Sequence, residues 1–174
     1  NAMSKTLLAS QRVAHRSGRN TRGFSLIELL IVIAIMAVLA GIGLPLAELS
    51  HQRAKEDELR RSLREIRSAL DDYKRLVDQG RIVAVAGASG YPSRLEVLVE
   101  GVTDAKSPQG AQLFLLRRLP RDPLASVDMA DPAQTWGLRS YASTADDPRP
   151  GSDVFDVYSR APGNGLNGVA YRKW

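Results

Sequence analysis

The side chains able to carry out chemistry are few in this sequence of 174 residues. It has no cysteine and two histidines, which excludes disulfides, thiolate nucleophiles and multi-histidine metal sites. His15 lies in a basic stretch and His51 on a predicted helix, so neither stands beside a nucleophile as acid–base catalysis requires. Adjacent acids, as at 71–72 and 146–147, are typical of solvated charge. The sequence therefore predicts a protein that is not an enzyme.

Glu28 is the one charged side chain in the apolar run 24–46. A carboxylate costs about 2.5–3.5 kcal/mol at the centre of a bilayer and less near the interface, so Glu28 either snorkels or pairs with a cation. Cleavage between Gly23 and Phe24 would create that cation, because the new α-amino group lies one helical turn from Glu28. Between parallel copies, the amine of one chain would meet Glu28 of the next and set a repeating stagger, which is a route to a filament.

The run 24–46 is itself long enough to cross a membrane. At 1.5 Å per residue it spans the roughly 30 Å of a bilayer core, and its apolarity on all faces disfavours a buried soluble helix. The basic residues before it predict a cytoplasmic N-terminus and a body outside the membrane. Pro45 predicts a kink near the membrane surface. No small-residue cleavage site ends the run, so we expect it to be retained as an anchor.

The formal net charge of +5 belongs entirely to residues 1–23, which hold five basic side chains and no acidic one. The rest of the chain holds 19 basic side chains against 19 acidic ones. Aromatic residues make up 6% of the chain, too few for a base-stacking platform. A neutral body disfavours a nucleic-acid-binding role, and the basic stretch is instead an orientation signal.

Residues 47–79 are predicted to form an amphipathic helix that ends at Gly80. Its apolar stripe consists of Leu59, Leu63, Ile66, Leu70, Tyr73 and Leu76 or Val77. Its polar faces offer i,i+4 ion pairs at Glu56–Arg60, Asp57–Arg61 and Asp71–Arg75. The stripe is shorter than the three or four heptads of a coiled coil, so we expect it to cover a β-rich region. Together with the apolar run it gives one helix of roughly 55 residues, about 80 Å long.

The remainder of the chain is predicted to hold short elements joined by turns. Ser93 and Glu96 form a capping-box pattern, which predicts a short helix over Arg94–Val99. Apolar and polar residues alternate in part over Thr135–Ser143 and Val154–Ser159, which predicts two strands joined by a loop of turn residues.

The segment Arg22–Leu30, with the sequence RGFSLIELL, resembles the class III signal of type IV pilins and type II secretion pseudopilins. The resemblance implies that a membrane peptidase cuts after Gly23 and methylates the new N-terminal residue, Phe24. It also implies that Glu28 is the assembly carboxylate and that Pro45 is the helix-interrupting proline of that family.

Three later segments resemble the G-type major pseudopilins of type II secretion, namely Tyr91–Leu95, Arg118–Pro123 and Phe155–Ser159. The implied architecture is an α+β pilin fold, in which a long N-terminal helix, transmembrane in its first half and amphipathic in its second, packs on a small antiparallel sheet. The implied parts are a cleaved leader 1–23 that begins with a tag remnant, a transmembrane helix 24–46, and a periplasmic domain 47–174 with its helix at 47–79 and its loop and sheet at 80–174. Residues 81–90 and 128–134 are insertions relative to that branch.

The resemblance implies a subunit that polymerises into the periplasmic pseudopilus of a type II secretion system and drives export of folded proteins across the outer membrane. Its partners would be copies of itself, minor pseudopilins, the prepilin peptidase, an inner-membrane assembly platform and lipid around 24–46, with no nucleic acid. It would be a single-pass protein of the bacterial inner membrane with its C-terminal domain in the periplasm. Two alternatives stay open: a type IV pilin, major or minor, of a surface pilus for adhesion, motility or DNA uptake, and a monomeric signal-anchored periplasmic domain.

G-type pseudopilins commonly bind Ca²⁺ in their last loop through carboxylates and backbone carbonyls. The resemblance therefore points to Asp153, Asp156, Asn164 and Asn167, although two of these are asparagines where carboxylates would be expected. Ca²⁺ takes six to eight oxygen ligands, and its affinity depends on their charge. The sequence thus favours a glycine-rich loop without calcium or any other cofactor.

Overall fold

The computed structural model describes residues 23–174, and for 42–46 it describes the backbone alone. The chain divides into an N-terminal unit that ends at Leu44 and a C-terminal unit over Pro45–Trp174. The first helix, α1 (Leu26–Asp78), contributes residues to both units. The predicted leader 1–23 lies, apart from Gly23, outside the described residues.

In the N-terminal unit, every described side chain is exposed. Its large apolar side chains range from 43% exposed at Val32 to 81% exposed at Phe24, and they occur on all faces of α1. A helix that is apolar all round has no polar face to present to water. Among the residues described, no helix is both long and apolar enough to cross a membrane. The transmembrane assignment of 24–46 and the kink at Pro45 stay predictions.

In the C-terminal unit, the predicted apolar stripe of α1 is confirmed. Leu59, Leu63, Ile66 and Leu70 are at most 2% exposed, because residues three and four apart share one face of a helix. The helix ends at Asp78, followed by Gly80 with φ +65°, a left-handed conformation that glycine adopts without steric cost.

The predicted i,i+4 ion pairs of α1 are wrong for the described residues. Arg60 instead lies 3.8 Å from the Asp57 carboxylate, and Arg75 pairs with Asp72, both at a spacing of three. Glu56 is 3% exposed and faces the core rather than Arg60. The reason is positional, since helical periodicity places Glu56 on the same face as the apolar stripe.

Within residues 23–174, two two-stranded antiparallel sheets replace the single sheet that the sequence predicts. The strands are β1 (Val102–Thr103) with β2 (Gln112–Leu113), and β3 (Trp136–Arg139) with β4 (Asp156–Ser159). In the second sheet, Trp136 lies opposite Ser159 and Arg139 lies opposite Asp156. The fold class, a long helix with small antiparallel sheets in an α+β arrangement, is confirmed.

Strand β3 ends four residues before the predicted boundary at Ser143. The backbone N–H of Ser140 donates to the Arg149 carbonyl, and that of Tyr141 donates to the Asp153 carboxylate. These bonds take the groups that a longer ladder would use, so the chain turns away from β4.

The predicted helix over Arg94–Val99 is shifted and its capping box is wrong. The observed helix α2 (Val97–Glu100) begins after Glu96, and no side chain caps it. The Arg94 guanidinium donates two hydrogen bonds to the Glu100 carboxylate, at 2.8 and 2.6 Å. This bidentate pair ties Arg94, three residues before the start of α2, to the last residue of that helix.

One hydrophobic core lies in the C-terminal unit between the α1 stripe and the later elements. The buried residues contributed from outside α1 are Leu95, Leu98, Leu116, Trp136, Val154, Val157 and Tyr171. Full burial of such a side chain contributes about 1.5–3 kcal/mol, so this core dominates the stability of the unit.

Candidate functional site

The predicted cleavage position lies immediately before α1. Residues 23–25 carry no regular structure, and both Gly23 and Phe24 are exposed. The first helical hydrogen bond, from the Leu29 N–H to the Ser25 carbonyl at 3.1 Å, begins after the Gly23–Phe24 bond. The peptide bond is therefore outside the helical ladder and open to a processing enzyme. Cleavage and methylation here stay predictions.

Glu28 lies in the first turn of α1 and is exposed. A carboxylate at a helix N-terminus is favoured by the unpaired N–H groups there. Among the described residues, Glu28 has no ion pair. It is a lone charge within an exposed apolar surface, which suits a partner from another molecule. The side chain of Pro45, the other predicted assembly residue, lies outside the described residues.

Asp156, predicted as a calcium ligand, is held by two arginines. Its Oδ1 accepts from Arg67 Nε at 2.7 Å and from the Val157 N–H at 2.8 Å. Its Oδ2 accepts from Arg139 at 3.2 Å. Two guanidinium groups beside one carboxylate already neutralise it and would repel a second cation.

Asp153 is held by uncharged donors. Its carboxylate accepts from the Ser89 hydroxyl and from the Tyr141 N–H, the latter at 2.9 Å. Burial of Asp153 acts to raise its pKa, but hydrogen bonds from Ser89, Tyr141 and Ser140 outweigh burial and hold the pKa below the ordinary aspartate value. Ser89 belongs to the predicted insertion 81–90, so its hydrogen bond to the Asp153 carboxylate anchors that insertion.

Asn164 and Asn167 lie in the last loop of the chain. Asn164 forms an isolated antiparallel bridge with Ala170. The side-chain oxygen of Asn167 accepts from the Val169 N–H at 3.0 Å, which closes the loop locally. Both asparagines thus have roles within the loop itself.

The four predicted calcium residues do not fit a calcium site in this arrangement. The side chains of Asp153, Asp156 and Asn167 accept hydrogen bonds from donors in different parts of the chain. Asn164 is positioned by a backbone β-bridge. Over the described part of the chain, no group of three or more His, Cys, Asp or Glu residues is placed to hold a metal ion.

Glu56 is a site residue that the sequence interpretation missed. Its Oε1 accepts from the Leu166 N–H at 2.9 Å, from the Tyr171 hydroxyl at 3.0 Å and from Gln52 Nε2 at 3.1 Å. Burial raises the pKa of the Tyr171 hydroxyl, and its hydrogen bond to Glu56 acts in the same direction, so the phenol stays a donor. The available signal was the position of Glu56 on the apolar stripe, three residues before Leu59.

Arg67 is the second such residue on α1. Besides Asp156, its guanidinium donates to the Val157 carbonyl at 3.1 Å and to the backbone oxygen of Trp174 at 2.6 Å. Arg60 lies over the Trp174 ring, with its guanidinium carbon 4.4 Å from the ring centroid. One helix therefore contacts both β4 and the last residue of the sequence through charged side chains.

Comparisons with known proteins agree with these features. Residues 18–44 match the family model described as the prokaryotic N-terminal methylation motif. The chain is 31% identical over 143 residues to the type II secretion system core protein G of Pectobacterium carotovorum subsp. carotovorum, which covers 79% of this chain and 84% of that protein. The chain belongs to the type II secretion system core protein G family.

Two other members of the core protein G family show the same extent of similarity. The protein from Klebsiella michiganensis is 29% identical over 140 residues, or 78% of this chain and 90% of its own length. That from Dickeya chrysanthemi is 29% identical over 158 residues, or 86% and 96%. No solved structure matches the chain. The resemblance identified from Arg22–Leu30 is thereby confirmed.

Proposed function

We propose that this chain is a structural subunit that polymerises into the periplasmic pseudopilus of a type II secretion system. Growth of that filament drives export of folded proteins across the outer membrane. The observation that carries the proposal is membership of the core protein G family together with a methylation motif at 18–44. The role is structural rather than enzymatic.

Processing comes first in the proposed sequence of events. The prepilin peptidase cuts between Gly23 and Phe24 and methylates the new terminus. The apolar run 24–46 then anchors the subunit as a single pass in the inner membrane, with the C-terminal unit in the periplasm. Support comes from the exposed junction ahead of α1 and from apolar side chains that face outward on every side of the described part of the run.

Assembly depends on the Glu28 carboxylate. The Phe24 amine of one subunit pairs with Glu28 of a neighbour, which neutralises both charges among apolar helices and sets the stagger between copies. Minor pseudopilins and an inner-membrane platform are the further partners, and lipid surrounds the subunit before it is extracted. No nucleic acid takes part.

The test compares Glu28→Ala with Glu48→Ala in cells that lack the natural copy. Glu48 is an exposed carboxylate on the same helix but in the C-terminal unit, so it is a matched control. We expect Glu28→Ala to abolish cross-linked multimers and exoprotein secretion while Glu48→Ala retains both. Membrane levels of both variants, measured by immunoblot, control for degradation.

Two results would contradict the proposal. Unchanged multimers in Glu28→Ala would remove the filament role. Deletion of the whole protein that leaves secretion intact but abolishes surface pili or motility would instead assign the subunit to a type IV pilus.

A further inference from the structure

The last part of the sequence, residues 161–174, is here called the C-terminal segment. It is attached to α1 at two points, Glu56 and Arg67, eleven residues or about three helical turns apart. Tyr171 places its side chain in the core, and Ala161 and Trp174 pack against that core. The loop 163–168 between them has one apolar side chain, Leu166, which is exposed, so polar contacts must hold the loop in place.

Glu56 supplies the first attachment. It is 3% exposed, yet one of its oxygens accepts three hydrogen bonds, two of them from the C-terminal segment. A buried carboxylate costs free energy unless donors surround it, and hydrogen bonds to a charged group are stronger than neutral ones. The Leu166 N–H and the Tyr171 hydroxyl thus gain a strong acceptor from α1.

Trp174 supplies the second attachment. Its ring packs against Tyr171 with centroids 5.2 Å apart, and its Nε1 donates to the Val169 carbonyl at 3.1 Å. The ring also covers Gly165 so closely that a Cβ built there would lie 2.2 Å from it. With Arg67 bound to its backbone oxygen, Trp174 closes the C-terminal segment against the helix.

Three carbonyl oxygens of the loop in the C-terminal segment, those of Gly163, Gly165 and Val169, already accept hydrogen bonds. Gly163 accepts from the Tyr171 N–H at 3.3 Å, and Gly165 accepts from the Gly168 N–H at 2.8 Å. Val169 accepts from the Gly165 N–H at 2.9 Å as well as from the Trp174 indole. A metal ion bound through these carbonyls would compete with each of these bonds.

We propose that the C-terminal segment is held by Glu56 and Trp174 in a metal-independent lock, with Glu56 acting as a hydrogen-bond acceptor rather than as a cation ligand. The proposal does not depend on the pseudopilus role, because it concerns how one subunit keeps residues 161–174 folded. Glu56 is a positioning residue: it fixes the loop 163–168 and the aromatic pair of Tyr171 and Trp174.

The experiment is limited trypsin digestion of the full chain, purified from membranes in mild detergent. Cleavage after the exposed Arg160 frees the C-terminal segment, and mass spectrometry measures its rate. Each protein is digested in millimolar CaCl₂ and in excess EGTA. We expect the unmodified protein to be cleaved at the same slow rate in both, and isothermal titration with CaCl₂ to give no stoichiometric binding.

Variants at Glu56 separate the acceptor role from a ligand role. Glu56→Ala removes the acceptor and should raise cleavage after Arg160 about tenfold or more, with or without calcium. Glu56→Gln keeps an acceptor oxygen without the charge and should stay within about threefold of the unmodified protein. Glu58→Ala removes an exposed carboxylate two residues away and should change nothing.

Clear results would overturn the proposal. Faster cleavage of the unmodified protein in EGTA, or stoichiometric calcium binding, would show that a metal holds the segment. Equal rates for Glu56→Ala and the unmodified protein would remove Glu56 from the lock. Should Glu56→Ala fail to accumulate, Gly165→Ala decides, since its methyl group would displace the Trp174 ring and press on the Asn167 side-chain oxygen; unchanged cleavage in that variant would count against the lock.

Discussion

The side chains of the two units of this chain have opposite surroundings. In the N-terminal unit, the described side chains are exposed and apolar apart from Glu28 and a few small residues, and none is buried. In the C-terminal unit, an apolar core is surrounded by polar contacts, and over the described residues no buried side-chain nitrogen or oxygen lacks a hydrogen-bond partner. The C-terminal unit buries its apolar side chains within itself, whereas the N-terminal unit presents an exposed apolar surface over its described residues.

The largest difference between the two units is expected for a pair of isoleucine-to-alanine substitutions. Ile66 is fully buried in the core, and Ile33 is 55% exposed in the N-terminal unit. Ile66→Ala should lower the free energy of unfolding by about 2–5 kcal/mol because it leaves a cavity. Ile33→Ala should change it by less than about 0.5 kcal/mol.

Urea unfolding in mild detergent, followed by tryptophan fluorescence, measures both variants. Trp136 and Trp174 are the two tryptophans of the chain, and both lie in the C-terminal unit, so the signal reports that unit alone. The contrast fails if Ile33→Ala costs as much as Ile66→Ala.

A smaller effect is expected at Asp122, which is fully buried. Its carboxylate accepts from the Ser159 hydroxyl at 2.6 Å and from the Leu124 N–H at 2.8 Å. Asp122→Ala leaves both donors without a partner and should cost about 1–3 kcal/mol in the same urea experiment. Asp146→Ala, at an exposed loop position, is the control and should be neutral within about 0.5 kcal/mol. Equal values for the two would show that the buried network adds nothing to the unit.

A pH-dependent effect is expected at Asp153. Its pKa is lower in the folded protein than the ordinary value, so its contribution is present above about pH 4 and is lost as pH falls through the folded pKa. Asp153→Asn should therefore be less stable than the unmodified protein at neutral pH, with the gap narrowing in acid. Thermal unfolding across pH measures this, with Asp146→Asn as the control. A gap that widens in acid would contradict the prediction.

The smallest effect is expected for the ion pair of Asp57 and Arg60. Their side chains are 67% and 43% exposed, so solvent screens the attraction. Asp57→Ala should change the free energy of unfolding by at most about 0.5 kcal/mol. A loss above about 1 kcal/mol would show that the outer face of α1 contributes to the unit as its inner face does.

Sequence alone was sufficient for features that depend on local spacing. The apolar stripe of α1 repeats every three or four residues, and one helical face follows from that period without knowledge of any partner. The motif around Gly23 and Glu28 is likewise contiguous, so nine residues, Arg22–Leu30, indicated the type IV pilin and pseudopilin superfamily, and the later segments indicated the G-type branch.

Features that depend on distant partners were not accessible in the same way. The end of β3 is set by Asp153, twelve residues beyond Tyr141. The interpretation of Glu56 as half of an exposed ion pair failed because its partners, Leu166 and Tyr171, are 110 and 115 residues away. Spacing within a helix gives the face on which a carboxylate lies, but it does not give the donors that will approach that face.

The sequence separations between Glu56 and its donors also set the order in which these contacts can form during synthesis. When α1 has been made, the Glu56 carboxylate still lacks the two donors that enclose it, and it stays hydrated until Leu166 and Tyr171 have been translated. Closing contacts so far apart in the chain is slow compared with helix formation. Residues 24–46 are thus translated well before the C-terminal unit can finish folding, so the apolar run is exposed during an interval in which that unit is still incomplete.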